Sequence, residues 1–444
     1  MYMIKLPEEV KKIISTLEAA GYEAYAVGGC VRDAILGRTP NDWDITTSAK
    51  PLDVKGLFRK TFDTGIQHGT VTVLMGGEGY EVTTYRIDGV YEDARHPKEV
   101  TFTDNLLEDL KRRDFTINAM AFNETRGLVD AFNGKGDLES GIIRCVGNPK
   151  ERFSEDALRM MRAIRFAAQL GFEIDLETRA AIYELAPNIG KVSAERIMTE
   201  LTKLLVSNHP EMIRDAYECG LTAQFLPEFD ICMECEQNNP HHMYSVGEHI
   251  IHTMMSVRDD RILRFTMLLH DIAKPQTKTI DEEGITHNKG HAGLGSDMSK
   301  EILRRLKSDN ELINAVRVLV KYHDWRFEPD KRSVRRAASE IGVDLFPLLL
   351  EVQEADLSGQ SDYKKVEKAE RLRAIREIYD NILEENQALS IKDLAINGRD
   401  IIGLGFEAGP KLGGVLEDLL NIVLDSPEKN TREVLLGIVK DNYL

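Results

Sequence analysis

The stretch from Ala24 to Thr47, AYAVGGCVRDAILGRTPNDWDITT, constrains the fold more than any other part of the chain. An apolar run that reads as a strand ends at Gly28-Gly29. A short helical pattern follows from Val31 to Leu36, and Asn41-Asp42-Trp43-Asp44-Ile45 returns to an extended pattern. Side-chain direction in an extended segment repeats every two residues, so Asp42 and Asp44 point the same way. Two hard oxygen ligands on one face suit Mg²⁺, which is held by a few carboxylates together with phosphate oxygens. The paired glycine lets backbone approach such phosphates closely. The chemistry implied is metal-assisted attack on a nucleoside triphosphate. An Asp-x-Asp alone is a weak signal, because Asp, Asn and Gly crowd ordinary turns. The weight comes from the order strand, diglycine, helix, paired acids, with twelve residues between Gly29 and Asp42.

At 444 residues the chain is too long for one ordinary core, and roughly two to four domains are expected. No stretch approaches the roughly eighteen consecutive apolar residues of a membrane helix, and the N-terminal MYMIKLPEEVKKI reads as the start of an amphipathic helix, not a signal peptide. Five cysteines, an odd number, point to a reducing compartment and a cytoplasmic location. Cys232 and Cys235 form one C-x-x-C near His241 and His242; without a second cysteine pair, two ordinary thiols are the better reading than a zinc site. Strands are predicted at Tyr22–Val27, Trp43–Thr46, Gly69–Met75, Tyr80–Tyr85 and Ile117–Phe122, and from about Cys145 the period becomes helical almost throughout. The expected class is therefore α+β, an α/β head followed by a long helical body.

The Ala24–Thr47 run, together with Arg112-Arg113-Asp114-Phe115-Thr116-Ile117-Asn118-Ala119-Met120-Ala121, resembles the nucleotidyltransferase superfamily of DNA polymerase beta. Within it the residues are similar to the class II tRNA nucleotidyltransferases, the CCA-adding enzymes. The resemblance implies a polymerase-beta-like head over 1–142, a helical neck and body with a nucleotide-selecting helix over 143–235, an HD-like helical domain over 236–365, and a helical tail over 366–444 with a role in tRNA binding. It implies template-independent addition of C, C and A to the 3′ end of tRNA from CTP and ATP, with Mg²⁺ held by the catalytic Asp42 and Asp44. Gly29, Arg32 and Arg113 would bind triphosphate and sugar, and Glu81 is a candidate third acid. The polar run from Asp88 to Pro97 looks like the flexible loop of the complete CCA-adding enzymes, and weighs against the near alternatives, an A-only tRNA enzyme or a poly(A) polymerase.

From Ser154 to Phe166, SEDALRMMRAIRF, Ser154 reads as an N-cap with acids in the first turn. Asp156, Arg159, Arg162 and Arg165 recur every three residues as one polar stripe, with Leu158, Met161 and Ile164 opposite. A solvated helix face normally mixes signs, and three arginines without an intervening acid do not. By resemblance Asp156 and Arg159 read the incoming base, while Arg162 and Arg165 hold phosphate, ribose or the helix itself. A net charge of −17 requires that any RNA contact use local patches; candidates are Lys111-Arg112-Arg113, the arginines from Arg159 to Arg165, and Lys364 to Arg376.

A histidine-rich set runs from Pro240-His241-His242 through His249, His270-Asp271 in MLLHDIAKP, His287, His291, His323 and Asp356. One histidine, an adjacent His-Asp and a distant Asp are similar to the HD metal-phosphohydrolase pattern. Expected ligands of a second divalent metal are His249, His270, Asp271 and Asp356, with His291 and His323 next in line. A metal phosphodiesterase with a nucleotide-sensing head is the alternative from another class. No membrane partner is expected, and the sequence leaves the oligomeric state open.

Overall fold

The computed structural model describes residues 4–89, 100–238 and 244–443. The segment 90–97 of the expected loop, with His241 and His242, lies outside them. The chain divides into two compact units, the first ending at Phe225 and the second beginning at Leu226.

In the first unit the strands are β1 (Ala24–Val27), β2 (Ile45–Thr47), β3 (Thr61–Gly65), β4 (Thr70–Met75), β5 (Glu78–Thr84), β6 (Arg86–Asp88), β7 (Val100–Phe102), β8 (Ala121–Asn123), β9 (Gly127–Val129) and the short parallel pair β10 (Ile142–Ile143) and β11 (Glu173–Ile174). Seven of them form one mixed sheet in the order β3-β4-β5-β2-β1-β8-β9. The register places β2 antiparallel to β1, with Ala26 beside Ile45, and parallel to β5, with Ile45 beside Val82. The amphipathic helix Glu8–Ala19 covers the sheet by burying Val10, Ile13, Ile14 and Leu17. Helices from Pro149–Glu155 to Thr222–Phe225 then complete this unit, as the change of period at about Cys145 predicts.

Two local expectations are corrected. Residues 117–122 are not one strand: Thr116–Asn118 is a single 3-10 turn and β8 begins only at Ala121. The Asp114 carboxylate accepts from Phe115 N at 2.9 Å and Asn118 Nδ2 at 3.3 Å and winds this segment. A run buried on every side carries no period to reveal the turn. Ser154 is not an N-cap either. It lies in the last turn of Pro149–Glu155, donating to Lys150 O at 2.7 Å. The chain breaks at Asp156, whose Oδ1 accepts from Leu158 N at 3.1 Å where the next helix, Leu158–Leu170, begins behind its N-cap Ala157.

Among its described residues the second unit is built of helices and the short antiparallel pair Thr279–Ile280 and Thr286–His287. One core joins Val334, Phe346 and Leu349 to Ile375, Tyr379 and Ile382 of the helix Lys365–Glu384; another joins Leu394, Ile401, Leu419 and Leu435. No helix among the described residues is long and apolar enough to cross a membrane.

Candidate active site and a histidine-aspartate centre

Asp42 and Asp44 lie in the extended lead into β2, which starts at Ile45 rather than at Trp43. Asp44 is anchored through its carbonyl, which accepts from Val27 N at 3.0 Å. Continuing the parallel register back by one residue sets Asp44 beside Glu81. Partial burial raises the Asp44 carboxyl above the ordinary range, Arg113 pulls it back, and Glu81 and Asp42 push it up again. The three acids repel one another, a repulsion that a divalent ion between them would relieve. They do not form a three-residue group as tight as the centre described below, so phosphate oxygens would complete the shell.

Arg113 packs against the diglycine corner. Gly28 has φ +84°, and a Cβ there would come within 2.8 Å of Arg113 Nη1. The demanding glycine is thus Gly28, while a Cβ at Gly29 would meet only Arg32 Nη2 at 3.7 Å. Arg113 Nε is buried without a hydrogen-bond partner, a donor aimed at an acceptor the protein does not supply. No local pattern reveals the hub behind it. Buried Asp109 takes Thr46 Oγ1 at 3.1 Å and Arg112 Nε at 2.9 Å, and lies 3.8 Å from Arg113 Nη2. Arg32 is held by Asp33 and by Asn118 Oδ1 at 2.7 Å, over the Phe166 ring.

As its unmixed sign implies, the arginine stripe is not a solvated face; much of it is turned into the core. Arg159 and Arg165 are buried, and their acids come from elsewhere in the chain. Arg159 Nη1 pairs with Glu155 at 2.6 Å, and Nη2 donates to Arg112 O at 3.1 Å. Arg162 binds Asp114 through Nε and Nη2 at 2.8 and 2.5 Å. Arg165 joins Glu200 at 2.5 Å and stacks on Phe166 at 3.7 Å, a core ion pair with no face for a nucleotide. The Arg159–Arg165 cluster is therefore no RNA patch. Asp156 takes Arg196 Nη2 at 2.7 Å, a partner forty residues away that no local pattern reveals.

In the second unit four histidines and two aspartates meet. His249, His270, Asp271 and Asp356 offer ligand atoms within 4.8 Å of one another, and so do Asp271, His291 and His323. All six residues named in the sequence are brought together, with Asp271 shared. His270 and Asp271 follow the helix Arg261–Leu269, and His323 closes Asn310–Tyr322. Burial alone would lower the His270 imidazolium, but Asp271 and Asp356 outweigh it and raise it to about 10. Cys232 is a buried thiol donating to Ile272 O at 3.7 Å, in keeping with an ordinary core cysteine.

Residues 24–144 match the family model "Poly A polymerase head domain", residues 171–233 "Probable RNA and SrmB- binding site of polymerase A", and residues 290–439 "tRNA nucleotidyltransferase domain 2 putative". The chain is 37% identical to the CCA-adding enzyme of Levilactobacillus brevis over 99% of its own length and 100% of that protein's. It belongs to the CCA-adding enzyme family. The Lactiplantibacillus plantarum member is 36% identical over 99% of this chain and 98% of its own. Among solved structures, the Bacillus stearothermophilus CCA-adding enzyme in complex with CTP superposes with a TM-score of 0.73 at 30% identity, covering 98% and 97% of the two chains. Nucleotidyltransferases of this polymerase family use divalent metals, and a CCA-adding family member with clustered acids and histidines has side chains to hold them.

Proposed function

We propose that this chain adds C, C and A to the 3′ end of tRNA, using CTP and ATP, releasing pyrophosphate and reading no nucleic-acid template. Kinship over the full length with named CCA-adding enzymes carries the reading. In it, Asp42 and Asp44 hold Mg²⁺, with Glu81 lending charge from the neighbouring strand. When bound, Mg²⁺ acidifies the attacking hydroxyl and neutralises the triphosphate. Arg113 gives its unpartnered Nε to a triphosphate or ribose oxygen, Gly28 and Gly29 leave room for it, and Arg32 braces the corner. The tRNA 3′-oxygen attacks the α-phosphorus in line, and the bond to pyrophosphate breaks.

Asp156 and Arg159 select the base. Cytosine and adenine each present an amino donor beside a ring-nitrogen acceptor, which a carboxylate beside a guanidinium complements. Uracil and guanine place a carbonyl and a ring N–H there, leaving buried groups unpaired. Arg196 and Glu155 hold the two side chains in place. Asp156→Asn turns an acceptor into a donor; discrimination against UTP relative to CTP is expected to fall about tenfold. Single-nucleotide incorporation measures it, and unchanged discrimination removes Asp156 from the reading. We also assign His249, His270, Asp271 and Asp356 to a further divalent cation, the four-part domain division to the boundaries given above, and the protein to the cytoplasm, where its tRNA substrate and free thiols belong.

The deciding assay supplies purified protein with tRNA lacking its last three nucleotides, Mg²⁺, and each labelled triphosphate singly and paired. Two C followed by one A is the expected product. Long A tails, or A alone, would replace this reading with the poly(A) polymerase or A-only enzyme.

A further inference from the structure

Behind Arg113 lies a buried carboxylate on a short helix. In Asn105-Leu106-Leu107-Glu108-Asp109-Leu110-Lys111 the Asn105 Oδ1 accepts from Leu107 N at 2.9 Å and starts the helix Leu106–Lys111. Leu106 and Leu110 enter the core formed with Tyr25, Val27 and Tyr85, and Asp109 beside them is fully buried. Arg112 and Arg113 follow at three and four positions, the spacing that brings side chains of one helical turn together. A carboxylate so placed needs partners, because an isolated buried charge is strongly disfavoured.

Its two oxygens are nearly filled. Oδ1 accepts from Arg86 N at 3.3 Å and from Nε and Nη2 of Arg112, both at 2.9 Å. Oδ2 accepts from Thr46 Oγ1 at 3.1 Å. A carboxylate offers about four acceptor positions, so little capacity remains. Arg113 Nη2 stands 3.8 Å from Oδ2, near enough for attraction and too far for a hydrogen bond. Arg113 therefore receives charge from Asp109 without giving up a donor, in keeping with its buried, unpartnered Nε. Thr46 lies two residues beyond Asp44 in β2, and Arg86 follows β5, the strand that carries Glu81. One side chain thus ties the two arginines to the strands of the acids.

Arg113 needs that charge. Burial works against its guanidinium, and Asp109 is the strongest opposing influence. Asp44 attracts the same guanidinium less strongly. Without the Asp109 charge that competition reverses. Arg113 then turns toward Asp44, and its donors leave the corner where Gly28, lacking a Cβ, makes room for Nη1.

We propose that Asp109 is a positioning residue for nucleotidyl transfer: its buried charge holds Arg113 at the Gly28 corner and away from Asp44, leaving the Arg113 donors open to the triphosphate. The proposal rests on Arg113 as the triphosphate residue and adds what keeps it in place. Asp109 itself touches no substrate. The triphosphate is common to CTP and ATP, so the effect is blind to the base.

Asp109→Asn tests it, because the amide keeps the shape and an acceptor for Arg86 N and Arg112 while removing the charge. Full-length protein with Mg²⁺ and no tRNA has no acceptor to extend, so equilibrium dialysis reads the binding of labelled CTP and ATP directly. Asp109→Asn should weaken both about tenfold. In the transfer assay KM should rise by the same factor with kcat nearly unchanged, since the triphosphate is held before and during the step alike. The preference for CTP over UTP should stay that of the parent.

The deciding comparison is the cycle with Arg113→Gln. With no guanidinium to hold, Asp109→Asn should weaken CTP binding no further. The same loss in both backgrounds would mean that Asp109 only supports the fold, and would overturn the proposal. Parental CTP binding by Asp109→Asn, beside weakened binding by Arg113→Gln, would also overturn it and keep the part given to Arg113. Parental binding by Arg113→Gln would remove the triphosphate reading of Arg113, and this proposal with it. Thermal melting shows whether each variant folds. Should Asp109→Asn not fold, Thr46→Val carries the same cycle: it frees Oδ2 to draw Arg113 across the 3.8 Å gap. CTP binding should then weaken with Arg113 present and not with Arg113→Gln; equal losses overturn the proposal.

Discussion

Asp44→Asn should lower nucleotidyl transfer at least about 10³-fold, a loss of roughly 4 kcal/mol of transition-state stabilisation, while leaving the fold intact. Both halves follow from the surroundings of this carboxylate. Asp44 faces Glu81 and Asp42, and its proton affinity is raised by burial and by those acids despite Arg113. A carboxylate whose folded pKa lies above its unfolded value loses stability as pH rises through that interval. Asp44 is exposed, so solvent screens this effect, and the neutral amide should leave the melting temperature close to that of the parent. An amide oxygen is a far poorer magnesium ligand, so the cost appears in catalysis alone. Single-turnover incorporation of labelled CTP, set beside a denaturation curve, separates the two effects. Transfer within tenfold of the parent would remove Asp44 from the metal site, whatever the stability.

The parts of this site that were legible in the sequence are those encoded within a few residues. The strand, diglycine corner and paired acids obey local periods, and the His-Asp pair is adjacent in the chain. What escaped depends on distant approach. Gly28 rather than Gly29 is the constrained glycine because Arg113, eighty-five positions on, presses against it. The burial of the arginine stripe escaped because two of its acids, Asp114 and Glu200, come from segments more than thirty residues away. The helix that Ser154 seemed to begin starts only at Leu158, since a helix start can shift by a few residues without altering the apolar pattern around it. In the second unit the ligand types were readable, but the division of Asp271 between two histidine pairs is a matter of side-chain orientation, which no spacing encodes.

The charged layer beneath Phe166 should be the most costly place in the first unit to disturb. Asp114 is 8% exposed, and it binds Arg162 twice, Phe115 N and Asn118 Nδ2. Burial would raise its carboxyl, but Arg162 foremost brings it down to about 2. A depressed carboxylate contributes stability above its unfolded pKa and loses it as pH falls toward the folded value. The contribution is therefore full at pH 7 and should disappear between about pH 4 and pH 2. Asp114→Asn keeps the shape and removes the charge, leaving the Arg162 guanidinium with Glu200 at 3.9 Å as its remaining acid. Breaking one side of a buried pair costs about 3–5 kcal/mol; with the Arg162 side chain 33% exposed the loss here should be about 2 kcal/mol, or a fall of roughly 5 °C in melting temperature for a unit of this size. Adding Arg162→Met should recover much of that loss, because the orphaned cation, rather than the missing hydrogen bond, carries most of it. Chemical denaturation of the two single variants and the double variant closes the cycle. Additive losses would mean that Asp114 acts through the Phe115–Asn118 turn instead of through Arg162.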